Sequence, residues 1–203
     1  AFIFSNGDFS GQNNVFGSDL TYEGNYQVYV GSSYNLEIYD NSTAYVSTGT
    51  VPQDEWAHIA ITRSGSTVTY WINGQSAGTS TVSTTLKYRI IGGLIQSSTS
   101  TVYNSFKGYI SNARIVDGTA IYTSSFTPPT EALTNVTNTE LLACHLPYLK
   151  DGSSNDASIT VNGNTKTQQF SPYDNEEYTK SSSGGSVFLD GSGDYLTVTN
   201  GFP

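Results

Sequence analysis

The chain has 203 residues and a formal net charge of −9; eight Lys and Arg face seventeen Asp and Glu, aromatics make up 13% and charged residues 12%. That length can bury a sizeable core in one all-β domain. The charge balance excludes a nucleic-acid partner, whose phosphates demand a Lys/Arg patch, and no run approaches the ~20 apolar residues of a membrane span.

The abundance of Gly, Ser, Thr and Asn suits many short strands joined by tight turns, while the aromatic content argues against disorder. Ala1-Phe-Ile-Phe4 is apolar from its first residue and reads as a strand entered part-way. With no secretory leader and no Met anywhere, the expectation is a processed chain or a fragment, loss of an initiator Met being the alternative. After a turn at Ser5-Asn-Gly-Asp8, the residues from Thr21 alternate around Tyr22, Tyr26, Val28 and Val30. Tyr34 to Tyr39 reads as a strand ending at Asp40-Asn41, and Ala44 to Ser47 as a short one.

The stretch Glu55 to Gln75 reads as two strands joined at Ser64-Gly65-Ser66 and closed by Asn73-Gly74. Trp56, His58 and Ala60 share one face of the first strand; Ala57, Ile59 and Ile61 share the other. In the second, Val68, Tyr70 and Ile72 alternate with Thr67, Thr69 and Trp71. Asn-Gly is a strong turn signal because both residues tolerate positive φ. Hydrophobic side chains on both faces place this hairpin inside a sandwich, with Trp56 or Trp71 facing the core.

Further on, Ser76 to Thr85 reads as a polar loop or edge strand, Tyr88 to Ile91 as a strand stopped by Gly92-Gly93, and Ser97 to Thr101 as a surface loop. Phe106 to Val116 returns to the sandwich, and Pro128-Pro129 turns the chain toward Asn138 to Leu146. Ser158 to Val161 is a strand that turns at Asn162-Gly163, with a return strand near 165 to 170. Residues 176–185 resemble a linker in charge and Ser/Gly content. Residues 186–203 then read as a β-hairpin turning at Asp190-Gly-Ser-Gly193. The whole is an all-β, two-sheet antiparallel sandwich spanning 1–175, followed by linker and hairpin.

The motif Trp56-Ala-His-Ile-Ala-Ile-Thr-Arg63, its turn, and Val68-Thr-Tyr-Trp-Ile-Asn-Gly74 resemble the central hairpin of laminin-G-like domains, in the concanavalin A-like group of lectin and glucanase sandwiches. Phe106 to Val116 is similar to a later strand of that family. Asp117 to Pro129 resembles a subgroup found in phage and environmental structural proteins. The resemblance covers most of residues 1–175 and implies a jelly-roll sandwich. In that family, a segment like Val187 to Val198 opens the domain; here it closes the chain.

The glucanase relationship calls for paired carboxylates on one strand face. Glu37 and Asp40 come nearest, and their odd spacing sends them to opposite faces, so no enzyme is expected. His58 and His145 read as structural, and Cys144 as a small buried hydrophobe unable to form an internal disulfide. No cofactor is expected, although Asp151, Asn155, Asp156, Asp190 and Asp194 offer oxygen ligands to Ca²⁺; turn chemistry explains them equally well. Asn41 and Asn135 head surface sequons for glycosylation.

Two readings of function follow. One is a structural subunit of an extracellular filament or virion appendage, self-associating head-to-tail as Val187, Leu189, Tyr195, Leu196 and Val198 pack into a neighbouring copy beside Phe2 and Phe4. A linker of that length reaches about 17 Å as a coil and about 35 Å stretched, so return onto the same chain is also open. The other is a lectin module binding glycan near Asp151, Asn155 and Tyr103. Both predict that the purified chain releases no reducing sugar from β-glucans; turnover that disappears in Glu37→Gln or Asp40→Asn would overturn this.

Overall fold

The computed structural model describes residues 1–5, 9, 11–173 and 184–202, the side chains of 200–202 excepted. Its strands are β1 (Phe2–Ser5), β2 (Asn13–Gly17), β3 (Tyr26–Val30), β4 (Asn35–Asp40), β5 (Ala44–Thr50), β6 (Ala57–Ser64), β7 (Thr67–Ile72), β8 (Gln75–Thr81) and β9 (Tyr88–Ile91). They continue with β10 (Leu94–Gln96), β11 (Thr101–Tyr103), β12 (Lys107–Ser111), β13 (Ala113–Val116), β14 (Thr139–Ala143), β15 (Ile159–Asn162), β16 (Lys166–Gln168), β17 (Ser186–Asp190) and β18 (Tyr195–Phe202). Two seven-stranded antiparallel sheets face each other. Sheet I runs β16-β17-β12-β1-β6-β7-β8, and sheet II runs β15-β18-β9-β2-β3-β4-β5. The expected all-β sandwich is therefore present.

Period-two alternation decides which side chains meet between the sheets. Ile3, Ala57, Ile59, Val68, Tyr70, Ile110, Val187 and Leu189 point inward from sheet I, against Val28, Val30, Leu36, Ile38, Ile91, Leu196 and Val198 of sheet II. The β6–β7 hairpin forms with the register read from its pattern, Ser64↔Thr67 closing it around Gly65-Ser66. Asn73 and Gly74 turn the chain into β8 with φ of 48° and 76°, the doubly positive turn that Asn-Gly favours.

The outer face of sheet I is covered as well, but not by a sheet. Segment 117–133 lies across it, anchored where the Phe126 N–H donates to Gly74 O at 3.0 Å. Tyr122 and Phe126 stack at 3.6 Å between centroids, and both meet the buried His58 ring edge-on. Trp71 is buried under the same Phe126, its Nε1 donating to Thr62 Oγ1 at 2.8 Å. Neither indole belongs to the inter-sheet core. Of the two candidates Trp71 is the buried one, but a loop, rather than the second sheet, hides its face.

The chain end departs furthest from expectation. β17 and β18 do not pair with each other: β17 lies between β12 and β16 in sheet I, and β18 between β9 and β15 in sheet II. The turn at 191–194 is thus a corner that changes sheets. The same holds for β15 and β16, read from sequence as strand and return strand. The two corners nest, with Asn164 N–H donating to Asp194 Oδ1 at 2.8 Å and Asp190 N–H to Asp194 Oδ2 at 2.9 Å. Of the two placements left open, the structure has return onto the same chain: Val187, Leu189, Leu196 and Val198 fill the core of their own chain, and Tyr195 is half-buried beside them. Phe2 and Phe4 lie on the outer face of sheet I, Phe2 against His58 and Tyr173, Phe4 against Trp56 and Tyr109. Most of the linker reading at 176–185 falls outside the described residues.

Two outcomes test this packing. Leu189→Ala should remove about 2–5 kcal/mol of unfolding free energy, by the same amount at every protein concentration; a concentration-dependent loss would restore donation between copies. For His58, burial first, then the Ala1 amine and Arg114, pull the imidazole pKa from 6.5 to about 2. The unfolded chain takes up that proton near pH 6.5 and the folded one does not, so its effect is nil above pH 6.5 and destabilising as pH falls toward 2. Between pH 6.5 and 4.5, wild type should lose about 2–3 kcal/mol more than His58→Phe; parallel denaturation curves across that range would refute it.

Candidate functional site

The oxygen-rich positions named from sequence turn out to be occupied by the fold. Asp151, 1% exposed, accepts the Leu142 and Ser153 N–H groups on Oδ1, and Ser153 Oγ and the Ala157 N–H on Oδ2. Burial opposes its ionisation, yet these donors outweigh it and lower the pKa. Asn155 donates to Glu140 O and Oε2, and exposed Asp156 lies 3.6 Å from Lys150 Nζ. Asp190 accepts Asn164 Nδ2 and the Ser192 N–H, while Asp194 pins the nested corners. Among the described residues no group of three or more His, Cys, Asp or Glu is gathered for a metal. Tyr103, 40% exposed, donates to Gln96 on the β10–β11 ribbon. No hydrogen bond among the described residues joins it to the Asp151–Asn155 loop.

The other candidates are similarly placed. Asn41 and Asn135 are exposed, Asn41 at φ 76° with its Oδ1 accepting the Asn25 N–H at 2.9 Å. Cys144 is 1% exposed and burial pushes its thiol up to about 12, which removes it as a nucleophile. Glu37 and Asp40 take opposite faces of β4. Asp40 turns inward: burial raises its pKa, but donors from Thr43, Ser42, Thr84 and Tyr45 prevail and bring it to about 2.

The concentration of polar chemistry that the sequence reading missed lies on the outer face of sheet II. Register brings Asn14, Tyr29, Glu37 and Val46 into one row across β2, β3, β4 and β5, with Gln27 and Tyr39 opposite each other in the adjoining row. Asn104, arriving from between β11 and β12, accepts the Asn14 N–H on its backbone oxygen at 3.0 Å. Its Nδ2 reaches Gln12 Oε1 at 2.6 Å and Gln27 Oε1 at 3.2 Å, and Gln27 Nε2 continues to Asn25 Oδ1 at 2.6 Å. Tyr29 donates to Glu37 Oε2 at 2.7 Å; burial, then that carboxylate, raises its pKa. Within this lattice Asn14 is 0% exposed, and neither Oδ1 nor Nδ2 has a partner. A buried carboxamide left unpaired costs about 1–3 kcal/mol, the kind of local expense that marks sites of function.

This face can offer amide donors and acceptors, a phenol and one carboxylate to a polar ligand, with tyrosine rings for its apolar flanks. The pattern was legible in outline, since Gln27/Tyr29 and Glu37/Tyr39 alternate with Val28 and Ile38. The contributions of Gln12, Asn14 and Asn104 were not. Glu37 has no second carboxylate partner on its face among the described residues. Nor is any helix there long and apolar enough to cross a membrane.

Residues 3–129 match the family model Laminin_G_3, described as the concanavalin A-like lectin/glucanases superfamily. Among solved structures, a Bacteroides ovatus protein described as a candidate carbohydrate-binding protein superposes with a TM-score of 0.52 at 14% identity. The alignment takes in 100% of this chain but 54% of that one, so the chain spans about half the length of that relative. No curated protein matches the chain.

Proposed function

The chain belongs to the concanavalin A-like lectin/glucanases superfamily, and from that premise we propose that it is a non-catalytic glycan-binding module whose ligand sits on the outer face of sheet II. The carrying observation is Asn14, fully buried with both carboxamide atoms unpartnered, its backbone N–H held by Asn104 O of the Gln12–Asn104–Gln27–Asn25 amide lattice. Sugar hydroxyls both donate and accept, as carboxamides do, so such a lattice matches them in either sense. The half-buried rings of Tyr39 and its neighbours supply the flat apolar surface that sugar C–H groups pack on. The relative described as a candidate carbohydrate-binding protein supports the same reading.

The rim site at Asp151, Asn155 and Tyr103 is replaced in this proposal, because the first two are consumed by loop hydrogen bonds. The head-to-tail filament is not carried forward, since its connecting strands are already seated in their own chain. Absence of hydrolysis belongs to the proposal: Glu37 and Asp40 cannot act on one bond from opposite faces of β4.

A panel of immobilised oligosaccharides, followed by calorimetry, tests this. At least one neutral oligosaccharide should bind, and Asn104→Ala or Tyr39→Ala should weaken it about tenfold, or 1.4 kcal/mol, with melting temperature little changed. Failure to bind any member of the panel, or affinity indifferent to both substitutions, would refute the proposal.

A further inference from the structure

Glu37 is the single charged side chain in the two rows of sheet II described above, Asn14–Tyr29–Glu37–Val46 and Gln27–Tyr39. No ion pair among the described residues includes it; those that form join Arg89 to Glu23 and Lys150 to Asp156. The carboxylate is nevertheless held in place on both oxygens. Oε2 accepts the Tyr29 hydroxyl at 2.7 Å. Burial first, then Glu37 itself, raises the pKa of that phenol, so it stays protonated and remains the donor. Oε1 rests over Gly31, where a Cβ would overlap it, so glycine at this position leaves the space the carboxylate fills. The result is a positioned, half-buried negative charge with a neutral donor and no counter-ion among the described residues.

A ligand laid on this face strips water from that carboxylate and must replace the lost hydrogen bonds. A sugar hydroxyl does so by donating, and an ammonium does so while also cancelling the charge. A ligand carboxylate or sulfate offers no donor and adds like-charge repulsion. The surrounding carboxamides donate and accept equally well, so they are indifferent to the sign of the ligand. Tyr39, in the adjoining row, presents a ring face that attracts cations and not anions. Resting on the glycan reading of this face, we propose that Glu37 makes the site choose by charge. It takes neutral and amino sugars and rejects uronic and sulfated ones. The net charge of −9 also repels acidic glycans. That general repulsion is screened within about 10 Å in ordinary salt, and it changes little when one charge is removed. Selection by Glu37 disappears with the residue.

The test is calorimetry on the whole chain with matched hexasaccharides, gluco- and galacto-configured, each in neutral, 2-amino and 6-carboxyl form. It is run at mildly acidic pH, where the amino form carries its proton. The amino form should bind about tenfold or more tightly than the carboxyl form of the same backbone, with the neutral form between them. Glu37→Gln keeps an oxygen to accept the Tyr29 hydroxyl and should cut that ratio about fivefold or more. A carboxyl form that binds as tightly as the amino form would overturn the proposal. So would a ratio that survives Glu37→Gln, which would assign the preference to the net charge of the chain. Either result, with the neutral form still bound, leaves the glycan reading of the face standing. If no hexasaccharide of any charge binds, both readings fall together.

Discussion

One buried carboxylate holds the end of the sandwich together. Asp194, 0% exposed, accepts the backbone N–H groups of Asn164 and Asp190 on its two oxygens. It thereby joins the corner by which the chain passes from sheet II to sheet I to the corner by which it returns. Gly163, at φ 72°, is pressed against it; a Cβ there would sit 2.1 Å from Asp194 Oδ1. Because β15 and β18 belong to one sheet and β16 and β17 to the other, both sheets owe two strands to this junction. A buried carboxylate hydrogen-bonded on both oxygens is tolerable, whereas one left without donors would be costly.

The two outer faces of the sandwich have opposite characters. On sheet I, Phe2, His58 and Trp71 lie beneath Tyr122, Phe126 and Tyr173, so that face is a second, smaller hydrophobic layer. It keeps His58 neutral and leaves little for a polar ligand to bind. On sheet II the corresponding positions carry Asn14, Gln27, Tyr29, Glu37 and Tyr39; Tyr29 bonds to Glu37, and Asn104 bonds to both Gln27 and Gln12. Hydrophobic burial stabilises the first face, and reciprocal amide bonding organises the second. That asymmetry is why the glycan site is proposed on sheet II rather than on sheet I.

Much of this was written locally. Alternation through Glu55–Gln75 sorted the side chains of β6 and β7 into two faces, and Asn73-Gly74 specified their turn. The spacing of Glu37 and Asp40 by itself separates them, because the side-chain period along a strand is two residues wherever the strand lies. Likewise, an isolated Cys144 in an apolar run had little choice but the interior.

Tertiary structure decided what local period cannot carry: which strands become neighbours. Alternation around Asp190–Gly193 is identical whether the flanking strands pair with each other or part to opposite sheets, and here they part. Trp71 has the pattern of a core residue, but a loop some fifty residues later covers it. The amide lattice needs Asn14 and Asn104, ninety positions apart, brought together where the Asn14 N–H donates to Asn104 O. The sequence by itself therefore determined strands, faces and turns, which depend on neighbours one to four residues away. Sheet membership and the polar face depend on long-range packing, and only the folded chain could decide them.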